Sequence, residues 1–434
     1  MIMGKNIGIG ILGLGHVGKG TLDIINKNQF FIEQEISPNK IKIVGLADLD
    51  INRKPKSEKY NTVFTTSAQQ VIDHPEAQII VEAIGGEYPA YNLIKKALEA
   101  GKHVVTPNKE VVAKHGYELL RIAHQNQVQF LFETSVGSAI PILGVISNIL
   151  TSCPLDEISG ILNGTTNYIL DLMFEQNITQ QEALIKAQEM GYAEADPSKD
   201  VMGIDALYKI FILSSLGFRT RLTLDKIHYS GITNIEHEDI ELAKKLGYRI
   251  KLLAIAKKKG DCLDIRVEPM LVDQNNFLTN IHGADNGIIL YGESYGELFF
   301  SGAGAGGIAG GSMIVSDIVR IVRQPQYFEH DYLLQDSEGL QVQSFDEEEN
   351  SYFVRIQQQT KQVGSDKIEK ILEQNELLVE KFAKTNSKNN ELNIGILTAL
   401  LKEDKLKKVI NGIEKQSKEI KILNFMKRYK NSSK

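Results

Sequence analysis

Asp205 and Lys209 stand four residues apart in I-D-A-L-Y-K-I-F. At helical spacing, side chains at i and i+4 leave the same face and can meet. On a surface helix such a pair is an ordinary ion pair. Here the flanking residues Ile204, Ala206, Leu207, Ile210 and Phe211 are apolar, which predicts a buried helix, and a desolvated charge pair is more often functional than decorative. Carbonyl reduction needs a proton delivered at oxygen while hydride arrives at carbon, and a lysine held by a carboxylate suits that task. Lys209 is therefore the candidate acid/base and Asp205 the group that holds and tunes it. Lys109, in V-T-P-N-K-E, follows a predicted strand over 103–106. That puts it at the carboxyl edge of a parallel sheet, where ligands of open α/β folds bind; a plain helix-start lysine is the alternative.

A second pattern concerns phosphates. Gly13, Gly15 and Gly18 form G-L-G-H-V-G directly after a predicted strand and at the head of a predicted helix. In that setting the first glycine permits a tight turn, the second lets backbone approach a pyrophosphate, and the third lets helix and strand pack. Asp48 ends the next predicted strand and is placed to bond a ribose 2′-hydroxyl, which favours NAD. Arg53 and Lys54 follow; they could pair with the 2′-phosphate of NADP or form a solvated basic turn. NAD and NADP both stay open.

The densest signal runs from G-I-L-N-G-T-T-N-Y-I-L at Gly160 to G-Y-A-E-A-D-P-S-K-D-V-M-G-I-D-A-L-Y-K, which ends at Lys209. Together with V-T-P-N-K-E, F-E-T-S-V-G from Phe132 and G-A-G-A-G from Gly302, these blocks resemble the homoserine dehydrogenases. The resemblance covers roughly 320 residues and five motifs in order, and it is to the form without an aspartokinase segment. It implies NAD(P)-dependent interconversion of L-homoserine and L-aspartate 4-semialdehyde, with Lys109 and Lys209 in the active site and a homodimer or homotetramer. An amino-acid substrate carries an ammonium, so Glu194 and, next, Asp200 become candidate substrate carboxylates, while Asp196 before Pro197 reads equally as a turn or cap residue. Asn163, Thr165 and Thr166 could line the pocket or stabilise its loop. The resemblance also implies a monovalent cation such as sodium on the backbone carbonyls of Glu133, Val136, Ser138 and Ile140, although Ser138-Ala139 stands where the family commonly has two glycines. Gly304 and Gly306 could let backbone approach the cofactor or form a flexible turn.

The elements needed to position these residues can be read in outline. Strands are expected over 6–14, 41–47, 78–83 and 103–106, alternating with helices such as 17–27 and 90–100, so residues 1–134 should form a Rossmann-type doubly wound parallel sheet. A change of pattern near Glu133 opens an α+β substrate-binding and dimerisation domain over 135–304, with helices over 140–150, 178–191 and 200–216 and strands over 263–272 and 287–300. A helix over 312–323, within 305–330, is expected to pack back on the first domain. Residues 331–350 read as an acidic linker. In 351–434 a strand (352–357), a helix (367–382), a strand (394–400) and a helix (404–415) fit a ferredoxin-like module similar to the ACT-like amino-acid-sensing modules of the family. Its usual Pro-Gly turn is missing after Tyr352-Phe353-Val354, with only Val363-Gly364-Ser365 nearby, so effector binding and a structural or dimer-forming role stand side by side.

Composition narrows the class. With 434 residues, 42% hydrophobic and 24% charged, the chain needs more than one core and is neither fibrous nor disordered. A net charge of -6 gives no nucleic-acid footprint. No segment reaches the roughly 18 apolar residues of a membrane span, and two cysteines, Cys153 and Cys262, suit a cytoplasmic protein without a disulfide framework. Neither is placed like the thioester nucleophile of a phosphorylating semialdehyde dehydrogenase. A non-catalytic sensor of dinucleotide and amino acid, the other rival, has no need of the Asp205–Lys209 pair.

Overall fold

The computed structural model describes residues 4–55, 62–328, 330–334, 339–344, 348–358, 365–386, 391–416 and 420–430. The Val363-Gly364 turn expected near the module's first strand lies outside them. The first layer is a parallel sheet of β1 (Asn6–Leu12), β2 (Lys40–Ala47), β3 (Val63–Thr65), β4 (Ala77–Glu82), β5 (His103–Val105) and β6 (Phe130–Leu131). Its order is β3-β2-β1-β4-β5-β6. Apolar runs such as Ile79, Ile80 and Val81, all buried, are what strands covered on both faces require. The order reverses between β1 and β4, and the cleft at that reversal opens at the carboxyl ends of the strands.

The helix Gly307–Arg323, far away in sequence, lies against the helix His16–Lys27 that follows β1. Ile314, Ile318 and Ile321 join Ile9, Leu22 and Ile25 in one buried cluster. Glycines bring the two backbones together: a Cβ on Gly20 would lie 1.9 Å from the Gly307 carbonyl oxygen. The glycine-rich stretch before this helix is thus partly helix itself, which starts five residues earlier than its apolar pattern suggests.

The second layer is a mixed sheet of order β12-β11-β7-β9-β10-β13. Its antiparallel members are β7 (Glu157–Ile161), β9 (Tyr248–Lys259), β10 (Cys262–Asp273), β11 (Asp285–Gly292) and β12 (Gly296–Ala303). Short β8 (His228–Tyr229) and β13 (Gln341–Val342) run parallel to β10. The helices Gly164–Gln176, Ile204–Gly217 and His237–Leu246 pack on β9.

Several elements differ from the sequence reading. The single helix expected over 200–216 is two, Ser198–Val201 and Ile204–Gly217, because Gly203 turns the chain at φ +83. Asp200 and Asp205 therefore belong to different helices. The helix expected over 140–150 is one turn, Ile142–Gly144, running into a wider π turn, Val145–Ile149. The segment read as a linker is anchored: Leu333 is buried in the turn Asp331–Leu334, and β13 pairs with Cys262 and Leu263. Few apolar residues are enough when a sheet edge is available.

In the tail, β14 (Tyr352–Gln358), the helix Ser365–Gln374, β15 (Val379–Asn386), β16 (Leu392–Thr398), the helix Glu403–Gln416 and β17 (Ile420–Lys427) form an antiparallel sheet of order β15-β16-β14-β17. This is the β-α-β-β-α-β arrangement of ferredoxin-like modules. The helix expected over 367–382 stops at Gln374, since Glu376 adopts φ +58 and the chain re-enters as β15. Arg355 on β14, buried, ties the module to the second layer through Glu236 at 2.7 Å and Asp239 at 2.9 Å.

Candidate active site between the two layers

Two lysines share one carboxylate. Lys109 is the first residue of the helix Lys109–Gln125, just beyond β5, and Asn108 caps that helix by accepting the Val111 N–H at 3.2 Å. Asp205 lies in the first turn of Ile204–Gly217, where the helix N-terminus favours a negative charge. Its Oδ1 is 3.0 Å from Lys109 Nζ and its Oδ2 is 2.9 Å from Lys209 Nζ. Lys209 also donates to the Leu162 carbonyl at 2.6 Å. The side chains of Asp205 and Lys209 are 7% and 9% exposed, that of Lys109 41%. One lysine is thus embedded and the other opens to solvent.

The electrostatics follow from this sharing. Burial alone would push the Asp205 carboxyl up, but Lys109, Lys209 and Asn163 together hold it well below the usual carboxylate range. Asp205 in turn holds Lys109 above the usual lysine range, with Asp200 and Glu194 adding to the effect. Asp200 moves the other way: burial and the like charge of Asp205 raise it.

Asn163 joins the two aspartates. Its Nδ2 donates to Asp200 at 2.7 Å and to Asp205 at 2.9 Å, while its Oδ1 accepts from the Thr166 N–H and hydroxyl, both at 2.8 Å. Thr166 therefore locks Asn163, and Thr165 is spent on the Tyr192 carbonyl. Glu194 is exposed, close enough for its charge to act on Lys109. Asp196 accepts from the Ser198 N–H at 3.1 Å, the turn role open to it from sequence.

The glycine turn has the cradle a dinucleotide pyrophosphate fits. Gly13 stands at φ +90, and a Cβ there would lie 2.5 Å from the Ala83 carbonyl oxygen; one on Gly18 would lie 1.9 Å from that of Gly13. Above Gly15 a Cβ would meet only Arg53 Nη1, at 3.8 Å. The floor is closed and the approach is open. Gly306, at φ +128, leads into Gly307, whose Cβ position is 2.4 Å from the His16 carbonyl oxygen, so the G-A-G-A-G turn abuts this cradle.

Asp48 is not a free carboxylate. Its Oδ2 accepts the Leu14 N–H at 2.7 Å and lies 3.3 Å from Arg53 Nη1, and its Oδ1 accepts the Asp50 N–H at 2.9 Å. Burial would raise its carboxyl, but those donors and Arg53 outweigh it and lower the group. Asp48 thus latches the turn, with Arg53 folded over it and Lys54 exposed beside it.

Sequence reasoning missed Glu82. This buried carboxyl at the end of β4 accepts from the Thr106 hydroxyl at 2.6 Å and the Ile84 N–H at 2.7 Å. The Thr106 oxygen accepts the Asn108 N–H at 3.0 Å, and Asn108 donates to the Gly86 carbonyl at 2.7 Å. Burial pushes the Glu82 carboxyl up. The network bolts the loops after β4 and β5 together and so fixes the head of the Lys109 helix. A lone glutamate inside the apolar run Q-I-I-V-E-A was the available signal.

At the turn after β6, the Glu133 carboxylate accepts the Leu143 and Gly144 N–H groups, each at 2.7 Å. Ser138 adopts φ +51, the conformation that a glycine would adopt most readily. Val136 and Ile140 are buried, and the Ile140 carbonyl accepts the Ile142 N–H at 2.8 Å.

Relatives decide what this arrangement belongs to. The family profile described as homoserine dehydrogenase matches residues 141–319, and that described as homoserine dehydrogenase, NAD binding domain, matches residues 13–133. The homoserine dehydrogenase of Bacillus subtilis is 39% identical over 320 residues, covering 74% of this chain and 73% of its own. This chain belongs to the homoserine dehydrogenase family. A crystal structure of the homoserine dehydrogenase from Thiobacillus denitrificans superposes with a TM-score of 0.87 at 32% identity over 99% of each chain. A hyperthermophilic archaeal homoserine dehydrogenase in complex with NADPH superposes with a TM-score of 0.62 at 26% identity, covering 74% of this chain and 98% of that one. The chain is accordingly a homoserine dehydrogenase, an NAD(P)-dependent oxidoreductase.

Proposed function

We propose that Lys209 is the acid/base of the homoserine dehydrogenase reaction, acting on L-homoserine and L-aspartate 4-semialdehyde. The observation that carries this is the Asp205 carboxylate, shared at 3.0 and 2.9 Å between Lys109 and Lys209 at the junction of the two layers. Bound nicotinamide supplies the hydride acceptor, or the donor in reverse. In oxidation Lys209, as the neutral amine, would take the hydroxyl proton of homoserine while hydride leaves the carbon that bears that hydroxyl, and in reduction the resulting ammonium would return the proton to oxygen. Lys109, half exposed, orients the reacting oxygen. Glu194 and Asp200 receive the substrate ammonium, and Asn163 sets the distance between Asp200 and Asp205. Lys209→Ala should lower turnover on the order of 100- to 10,000-fold while leaving cofactor affinity nearly intact. Nicotinamide absorbance with purified protein reads this directly, and an undiminished rate would remove Lys209 from the role.

The same reading extends to the surroundings of the site. Gly13, Gly15, Gly18 and Gly306 hold the pyrophosphate, and Asp48, Arg53 and Lys54 face the adenosine ribose of NAD or NADP. A monovalent cation such as sodium sits on the backbone carbonyls of Glu133, Val136, Ser138 and Ile140; the family resemblance and the glycine-like conformation of Ser138 support it. Activity in sodium against choline salts tests that part. Domains divide at residues 134, 304 and 350, with the 305–330 segment belonging to the first and 351–434 an ACT-like module; the packing of Gly307–Arg323 and the order of the third sheet support this division. The enzyme works as a cytoplasmic homodimer or homotetramer in threonine, methionine and isoleucine synthesis; no described helix is long and apolar enough to cross a membrane.

A further inference from the structure

Asn286 sits on β11 between two strands that both end at the active site. The ladder pairs Gly287 with Ile161, so its next step sets Asn286 against Leu162, and on the other side Asn286 pairs with Gly302 of β12. Its side chain is fully buried. Nδ2 donates to the Leu162 carbonyl at 3.2 Å, the same oxygen that accepts Lys209 Nζ at 2.6 Å. Oδ1 has no hydrogen-bond partner among the described residues, and a Cβ on Gly304 would lie 2.4 Å from it.

We propose that Asn286 is a positioning residue for Lys209. This rests on Lys209 being the acid/base. A carbonyl oxygen has two lone pairs, and Asn286 occupies one, which fixes the direction in which the other faces Lys209. With the Asp205 carboxylate as its second partner at 2.9 Å, Nζ is held by two placed acceptors. Packing alone does not explain an asparagine here, because a buried amide oxygen without a partner is destabilising and a leucine of similar size would avoid it. The unpaired oxygen lies under Gly304, in the turn that carries Gly306 and Gly307 onto the glycine cradle. One side chain therefore references the proton-carrying lysine to the wall of the cofactor cleft. The sequence signal is G-A-D-N-G, an asparagine just ahead of the apolar run G-I-I-L.

The test is Asn286→Leu and Asn286→Asp, both close to the original in shape, each measured alone and with Lys209→Ala. For homoserine oxidation, kcat should fall about 5- to 10-fold in Asn286→Leu, the worth of one hydrogen bond, with both KM values within about 2-fold. Asn286→Asp, which turns an acceptor towards the Leu162 carbonyl, should be at least as slow. Added to Lys209→Ala, neither change should lower the residual rate, since residues acting through one group are not additive. A rise in KM with kcat intact, or a further loss on top of Lys209→Ala, overturns the proposal. If Lys209→Ala alone kept full turnover, the acid/base assignment would fail first, a result visible without any Asn286 variant. Should Asn286→Leu not fold, Asn286→Asp gives the same comparison.

Discussion

Lys109 and Asp205 meet across two layers of the protein: the lysine heads a helix of the parallel-sheet layer, the aspartate a buried helix of the other, and their charges are 3.0 Å apart. The contact that orders the proposed acid/base pair also ties the two layers to each other. Asp205→Asn keeps the shape and removes the shared charge, so turnover should fall about 100-fold, the lower range of acid/base effects. Lys109, held up mainly by Asp205, should then lose its proton at lower pH, and any alkaline loss of kcat/KM that depends on its ammonium should begin earlier. A pH profile of the variant superimposable on that of the wild type would contradict this.

Substrate affinity should divide between two carboxylates. Glu194→Gln is expected to raise the homoserine KM about 10-fold, as for a lost charge-assisted bond, with little change for the cofactor. Asp200 is raised by burial and by Asp205, so it takes up its proton at a higher pH than an ordinary aspartate. The homoserine KM of the wild type should therefore climb on the acid side, and Asp200→Asn should flatten that climb. Initial rates across the acid range decide it.

Cofactor preference should respond unequally to Asp48 and Arg53. Asp48→Ala leaves the Leu14 N–H without its acceptor, so the KM of both NAD and NADP should rise as the glycine turn loosens. Arg53→Ala removes the cation beside the open face of Gly15 and should move kcat/KM towards NAD by about 10-fold, the worth of one bond to a charged group. An unchanged ratio would take Arg53 away from the ribose.

Stability should carry a pH signature from the docking of the third sheet. Burial raises the Asp239 carboxyl to about 6, more than Arg355 lowers it. Between the ordinary aspartate value and about 6, the folded state binds the extra proton, so this group destabilises at neutral pH and the penalty is relieved as pH falls through that window. Burial of His103 lowers its imidazole to about 4, which acts in the opposite sense over much of the same range. Comparing Tm of Asp239→Asn and wild type at each pH isolates the first effect: whatever the loss of the Arg355 partner costs, the Tm of the variant relative to wild type should fall as pH drops from 7 to 4. A constant difference in Tm would refute it.

The buried Asp205–Lys209 pair was readable because i and i+4 spacing within an apolar helix fixes both contact and burial. The glycine cradle was readable because its glycines answer to steric needs that hold wherever this turn occurs. Long-range partners were not. Asn163 could not be told from a loop residue, since its two aspartates come from separate helices, and Glu82 acts through Thr106 just beyond another strand. The break at Gly203 was hidden inside helical spacing on both sides. In the tail, V-E-K-F-A-K-T-N carries lysines and a glutamate that favour helix, and only its pairing with β16 makes it a strand.

The return of Gly307–Arg323 to the first layer bears on how the protein is born. Ile314, Ile318 and Ile321 cover apolar surface on a sheet whose last strand ends at Leu131. On the ribosome that surface waits while roughly 190 further residues are added, about 10 to 40 seconds at ordinary rates of synthesis. The nascent nucleotide layer is thus an open-sided intermediate, and the chain's earliest strands are among the last to be sealed.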